Sequence, residues 1–599
     1  MLERNEIDKK YKWDLTAIYK DEAAFDADIA RCREKMAEVA KNEAVMLSSA
    51  DALYTTLEGY AALEGIIEKL WNYASLSFST DTSNNAGQAL TARVRTLANE
   101  ASEATWFVGP YLQRLDEATV ESYISARPEL KSFKRLIEKN LRQKPHTLSD
   151  ECERLMSTME EALGSSSEVR SIFSNSDLTF GKIKNSEGKS VELTDTSYIP
   201  FMLSPDRRVR RSAFKTLYKT YRQYANTYAT LYFSRVKEEC TLARARGFES
   251  SIVASTFRDE VTPVIYNNLI DTVNRGIGTL YDYYELKRGV LGLSRLHLYD
   301  VYAPLITEAG GEYSYEAGVD EVLGTVEVYG REYTETLRRG LTELGWVDVY
   351  PTRGKRGGAF SAGCPDTEPY ILLNYAGSID DVFTLAHEAG HSMHSYFSIK
   401  NNEPHNSSYT IFVAEVASTV NELLLAHRLL REAKSDAERL YVLNQLMETY
   451  KGTLFRQTMF AEFERDMHAL WESGRPLTAD IICEKYYELN RRYFGARVEV
   501  DPEIACEWMR IPHFYTPFYV YKYATCISAA SAIVKRIECE GDAYVSRYLD
   551  FLRAGDSMSP LDSLLVAGID MREPSVVEDA IADFASCIKQ FKEIYNKNK

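Results

Sequence analysis

Two histidines and a glutamate stand together as His387-Glu388-Ala389-Gly390-His391, an HExxH pattern, in a chain with only nine histidines among 599 residues. Neutral imidazoles ligate divalent metals, and four-residue spacing on a helix turns both rings to one face, with a rise of about 6 Å between them. Two rings so placed can close on a single ion. Glu388 lies on the adjacent rotation, where a carboxylate can accept a proton from an activated water without ligating. The competing reading is two surface histidines flanking a solvated glutamate. A chain of this length and histidine content gives roughly one chance match in a hundred, so that reading is the weaker one.

A catalytic zinc needs a third protein ligand and one open position. His394 would share the face of His387, but about 10 Å further along the helix, too far for bonds of about 2 Å. Its expected place is behind the ligands, facing substrate, or in packing. Glu415 and Glu422 lie seven apart on a second helical stretch from about 411 to 430. One could ligate while the other supports a ligand imidazole, and spacing leaves both assignments open. A tyrosine-rich stretch, His513-Phe514-Tyr515-Thr516-Pro517-Phe518-Tyr519-Val520-Tyr521-Lys522-Tyr523, offers neutral donors of the kind that stabilise an oxyanion. Aromatic packing between helices is the alternative for each of those rings.

The elements that must position these groups are mostly helical. Asp380 and Asp381 ahead of the motif read as the acidic first turn of a helix. Before it, Gly357-Gly358-Ala359-Phe360-Ser361-Ala362-Gly363 leads to Tyr370-Ile371-Leu372-Leu373-Asn374-Tyr375. The Gly-rich piece is either an edge strand able to pair with an extended peptide or a loop feeding a buried strand. Phe25, Ile29, Cys32, Met36 and Val39 form one apolar helical stripe, and similar stripes fill roughly the first 170 residues. Alternation in Leu178–Ile183 and Val191–Leu193 around Asn185-Ser186-Glu187-Gly188 predicts a hairpin. Pro200 to Pro205 reads as a break, with a boundary near residue 200.

Composition limits the partners. A net charge of −17 lacks the basic footprint that nucleic acid or an anionic membrane requires. Hydrophobic residues at 45% and charged residues at 27% are those of a globular chain. Nine cysteines without a CxxC pair read as thiols of a reducing compartment. The charged start of the chain, with no apolar run of about 18 residues, predicts a cytoplasmic location.

The stretch from Tyr370 to Leu423, with its HEAGH and the following Val413-Ala414-Glu415-Val416-Ala417-Ser418-Thr419, resembles the M3 family of zinc metallopeptidases, and most of all its oligoendopeptidase F branch. Trp13-Asp14-Leu15, Leu298-Tyr299-Asp300-Val301-Tyr302-Ala303-Pro304, Phe455-Arg456-Gln457-Thr458-Met459-Phe460 and Ile511-Pro512-His513-Phe514-Tyr515 extend the resemblance over most of the chain. It implies a mainly α, zincin-type helical metallopeptidase with a small β-sheet beside the active-site helix and a deep substrate channel. It also implies an N-terminal helical lobe at 1–200 and a catalytic domain at 201–599. One Zn2+ per chain would be held by His387, His391 and Glu415, with Glu422 in support and Glu388 as general base. His513, Tyr519 and Tyr521 would act as donors to the reacting carbonyl, and Tyr515 would meet substrate. Gly358 and Ala359 are expected to pair with the backbone of short peptides cut at internal bonds. Two alternatives stand beside this: a zinc carboxypeptidase, for which Arg510 is the candidate carboxylate holder, and a non-catalytic peptide-binding protein.

Overall fold

Phe25, Ile29, Cys32, Met36 and Val39 become the buried face of helix Glu22–Ala40 in the computed structural model, which describes residues 2–306 and 311–598. Asp21 caps that helix by accepting the Ala24 N–H at 2.8 Å. Helices Ala50–Thr80 and Asn85–Ala104 pack against it. Their shared core takes in Trp13 together with the strand residues Tyr370 and Leu372. The Trp13 indole N–H is shared between the carbonyls of Trp346 at 2.8 Å and Ile371 at 2.9 Å. One buried side chain therefore fastens the start of the chain to the sheet, which accounts for the Trp13-Asp14-Leu15 motif in physical terms.

That sheet has three strands in the order Val347–Asp348, Tyr370–Leu372, Phe360–Ala362. The middle strand is parallel to the first and antiparallel to the last, with Ser361 opposite Ile371. Phe360–Ala362 is thus an edge strand, half-buried beside a fully buried neighbour. Val347–Asp348 was not expected from the sequence. Neither was the parallel pair of Leu296–His297 with Val498–Glu499. Two residues are too few to display a strand's alternation.

The chain groups into two compact units, each drawing on three stretches: Met1–Pro145, Gly311–Leu425 and Ile533–Ile569 in one, His146–Gly310, Ala426–Ala532 and Asp570–Lys599 in the other. Within the second, Lys182–Lys184 and Ser190–Glu192 form the expected antiparallel hairpin. Its turn places Gly188 at φ +80, a conformation that suits glycine. Pro200 does not break the chain as expected. It lies inside helix Asp195–Met202, which a Thr194/Ser197 capping box starts, and the helix ends two residues later. In the Leu298–Pro304 motif, Asp300 is fully buried and accepts from Arg207 at 2.8 Å and Arg210 at 2.8 Å. Arg456 of the Phe455–Phe460 motif pairs with buried Glu507, which also accepts from Tyr486 at 2.7 Å. No described helix is long and apolar enough to cross a membrane.

Candidate metal centre

Helix Ile379–Asn401 carries the HExxH residues and begins at a capping box. Asp381 N–H donates to the Ser378 hydroxyl oxygen at 3.2 Å, and the Asp381 carboxylate accepts the Ser378 N–H at 2.8 Å. Two turns on, His387 and His391 face each other with Nε2 atoms 3.1 Å apart. Oε2 of Glu415, from helix Ile411–Glu432, lies 3.3 Å from each. Three atoms bound tetrahedrally to one ion at about 2.05 Å would be separated by about 3.3 Å. The triangle has the dimensions of a metal site, and it is the one such group among the described residues.

The surroundings hold the donors in that state. Nδ1–H of His387 donates to Glu422 Oε1 at 2.6 Å, which leaves the Nε2 lone pair directed to the triangle. The Ser418 hydroxyl donates to Glu415 Oε2 at 3.1 Å. Burial works to lower the His387 imidazole, but Glu415 and Glu422 outweigh it and raise it well above its ordinary value. Burial would likewise raise the Glu415 carboxyl, yet the two imidazoles hold it well below the usual range. Both directions say the same thing: the pocket favours positive charge at its centre. Glu388 is outside the triangle. Its carboxyl is 5% exposed, pushed up by burial, and its Oε2 has no hydrogen-bond partner among the described residues.

Two residues bring the helices close enough. A Cβ on Gly390 would stand 2.6 Å from the Ser418 Cα, so only glycine admits this approach. Asn421, fully buried, donates to the Ala386 carbonyl at 3.2 Å and accepts from the Tyr329 hydroxyl at 3.1 Å. The sequence reading missed Asn421. It sits one position before Glu422, and nothing in its spacing distinguishes a clamp from a surface amide. The Ser361 and Ser392 hydroxyls meet at 2.8 Å, joining the edge strand to the motif helix next to His391. Gly358, at φ +82, has its carbonyl bonded to the Asn374 side chain at 2.8 Å, and Ala359 follows it into the strand.

The other histidines near the motif have structural surroundings. His394 is buried, stacked on Tyr409 at 3.8 Å and close to Phe551, and burial pushes it down to about 3. His405 stacks on Phe133, and His427 faces Asp583 at 3.5 Å.

His513 and its tyrosines belong to the second unit. His513 is half-buried, lowered by burial and by Arg170, with the Tyr519 ring at 6.3 Å and the Tyr523 ring at 6.1 Å. Tyr519 and Tyr523 are also half-buried and 5.4 Å apart. Tyr523 was not singled out from the sequence, although its four-residue spacing from Tyr519 carried the signal. Tyr521 departs from expectation: it is fully buried, its hydroxyl donates to Asp259 at 3.0 Å, and its ring packs on Tyr266. A hydroxyl so committed is not offered to a carbonyl. Tyr515 is buried under the Arg170 guanidinium at 5.7 Å, its own hydroxyl unpartnered among the described residues. Arg510 donates to Asp195 at 3.1 Å and lies over Tyr198. The candidate carboxylate holder of the carboxypeptidase reading is therefore already paired.

The sequence matches the model of Peptidase family M3 over residues 201–583 and that of Oligopeptidase F over residues 112–180. Oligopeptidase PepF of Bacillus subtilis is 39% identical over 597 residues, covering 100% of this chain and 89% of its own. The Oligoendopeptidase F homolog of Borreliella burgdorferi is 38% identical, covering 99% and 100%. Among solved structures, oligoendopeptidase-F from Enterococcus faecium aligns with a TM-score of 0.76 at 32% identity, covering 96% of this chain and 99% of its own.

Proposed function

We propose that this chain, which belongs to Peptidase family M3, is a zinc-dependent endopeptidase that hydrolyses internal bonds of short peptides. The observation that carries this reading is the triangle of His387 Nε2, His391 Nε2 and Glu415 Oε2 beside the unpartnered Glu388 Oε2. Those three ligands would hold one zinc ion per chain, since two imidazoles and a carboxylate with an open fourth position form a zinc donor set of catalytic type. When bound, the metal acidifies water and polarises the scissile carbonyl.

The chain's own residues do the rest. Glu388 Oε2 takes the proton of the attacking water and returns it to the nitrogen of the leaving amine. A carboxyl held above its ordinary range by burial suits both transfers. Glu422 keeps His387 in one tautomer through the Nδ1 contact. Half-buried His513 and Tyr519, joined by Tyr523, supply neutral donors for the charge that develops on the carbonyl oxygen. Tyr521 is left out of that set by its bond to Asp259. His394 serves as packing behind the ligands, and Tyr515 stays with the substrate-binding residues. The edge strand after Gly358 and Ala359 offers main-chain groups to an extended peptide, gripping backbone more than side chains. Tolerance of peptide sequence follows. The names of the relatives, oligopeptidase and oligoendopeptidase, support short peptides as substrates. The cytoplasm is the proposed location, and neither nucleic acid nor membrane is a proposed partner.

Glu388→Gln tests the mechanism. The variant should keep one zinc per chain by metal analysis while cleavage of an internally quenched peptide falls roughly 10²–10⁴-fold. Near wild-type cleavage would sink the proposal. C-terminally amidated peptides should be cut internally; their complete resistance would favour a carboxypeptidase instead.

A further inference from the structure

We infer that Glu464 is a positioning residue for the His513–Tyr523 segment: its carboxyl grips the Phe518 amide and so fixes where Tyr519 stands beside His513. This rests on the reading above, in which His513 and Tyr519 serve the reacting carbonyl.

Phe518 has φ +52, a left-handed conformation that a bulky residue keeps only when its surroundings over-determine it. Those surroundings come from helix Arg456–Glu472 and from Tyr266 of helix Pro263–Arg275. Glu464 Oε1 accepts the Phe518 N–H at 2.7 Å. His468, one turn further on, lays its ring 4.6 Å from the Phe518 ring, and its Nδ1 bonds the Glu464 carbonyl at 2.9 Å. Tyr266 packs against Phe518 from the other side at 5.7 Å and bonds the Ala461 carbonyl at 2.7 Å. Positions 464 and 468 of helix Arg456–Glu472 thus meet the strained residue directly, and position 461 holds the Tyr266 that packs on it.

Glu464 has no structural reason to be an acid. It is fully buried, and among the described residues it pairs with no cation and its second oxygen has no partner. Burial pushes its carboxyl well above the ordinary carboxylate range. An apolar residue of similar size would fill this core at lower cost in desolvation. What Glu464 adds is an acceptor that reaches the Phe518 amide. Downstream, Asp259 anchors Tyr521 at 3.0 Å and Lys522 at 2.8 Å. Upstream, the Arg170 guanidinium donates to the Arg510 carbonyl at 2.8 Å. The segment is pinned on both sides, and the rotation at Phe518 decides how Tyr519 is presented between the pins.

The test measures kcat and KM of the full, zinc-loaded chain on an internally quenched peptide. Glu464→Ala should lower kcat at least about tenfold with KM within about twofold, the pattern of an interaction made only in the transition state. Glu464→Gln keeps an acceptor oxygen and should hold kcat within about threefold of wild type. Should the alanine variant fail to fold, Glu464→Leu keeps the volume and removes the acceptor. In a Tyr519→Phe background the loss from Glu464→Ala or Glu464→Leu should vanish, because both changes act on one hydroxyl. Full additivity there would overturn the inference, as would wild-type kcat in Glu464→Ala or Glu464→Leu while Tyr519→Phe is impaired. If Tyr519→Phe and His513→Ala both keep wild-type turnover, the reading of the segment falls instead and takes this inference with it.

Discussion

Glu422 touches the candidate site through a single atom, accepting the Nδ1 proton of His387 at 2.6 Å. Removing that acceptor leaves the imidazole free to change tautomer and rotate, which weakens the site without deleting a ligand. Glu422→Ala should therefore lower zinc affinity roughly 10–100-fold, measured by competition with a chromogenic chelator. Excess zinc should restore most of its peptidase activity. Unchanged affinity would mean that the Asn421 and Gly390 contacts orient His387 unaided. At this scale His387, Glu388 and His391 were legible in the sequence because a helix's period converts spacing into direction. The choice between Glu415 and Glu422 was not, since both lie on one face, about 10 Å apart along the axis, and only how far the second helix is slid past the first distinguishes them.

The two ligand-bearing helices, Ile379–Asn401 and Ile411–Glu432, approach at Gly390 against Ser418. Gly390→Ala forces a methyl group into backbone that cannot swing aside, and the helices must separate. The expected cost is about 1–3 kcal/mol, read as a lower urea midpoint, with zinc affinity falling in the same variant. Asn421→Ala removes bonds to the Ala386 carbonyl and to Tyr329 within the same contact. It should cost about 1–3 kcal/mol for the polar groups left buried and unpaired. If both variants kept wild-type midpoints, the helix contact would not be what holds the triangle. Helix positions could be read from the sequence wherever an apolar stripe ran for several turns, as in Glu22–Ala40. The contact between helices could not, because it depends on a glycine and an asparagine whose partners lie far away in the chain. The hairpin at Lys182–Glu192 was legible through its turn, whereas two-residue strands carry no periodic signal. Pro200 misled the reading because a short helix tolerates proline in its last turns when a strong cap begins it.

Across the whole molecule, a few buried charges act as fixed points, and Asp300 is the most enclosed of those in the family-like motifs. Burial alone would raise its carboxyl, but hydrogen bonds from Arg207 and Arg210 outweigh this and hold it below the ordinary range. A depressed carboxyl contributes stability above the unfolded value of about 3.9 and loses it as pH falls through the folded one. Asp300→Asn, which strands a buried Arg210, should cost about 3–5 kcal/mol at neutral pH. The difference from wild type in denaturant midpoint should close below about pH 4; a gap independent of pH would show that shape and not charge holds the motif. The donor triangle has a consequence on the same scale. Two imidazole nitrogens and a carboxylate oxygen, gathered within 3.1–3.3 Å of one another, favour a cation among them. Zinc, the metal proposed for this site, would then act as a thermodynamic weight on the folded chain, adding about 4.1 kcal/mol at a thousand times the dissociation constant. The melting temperature should climb with the logarithm of zinc activity, so that the resilience of the fold tracks the metal economy of the cell around it.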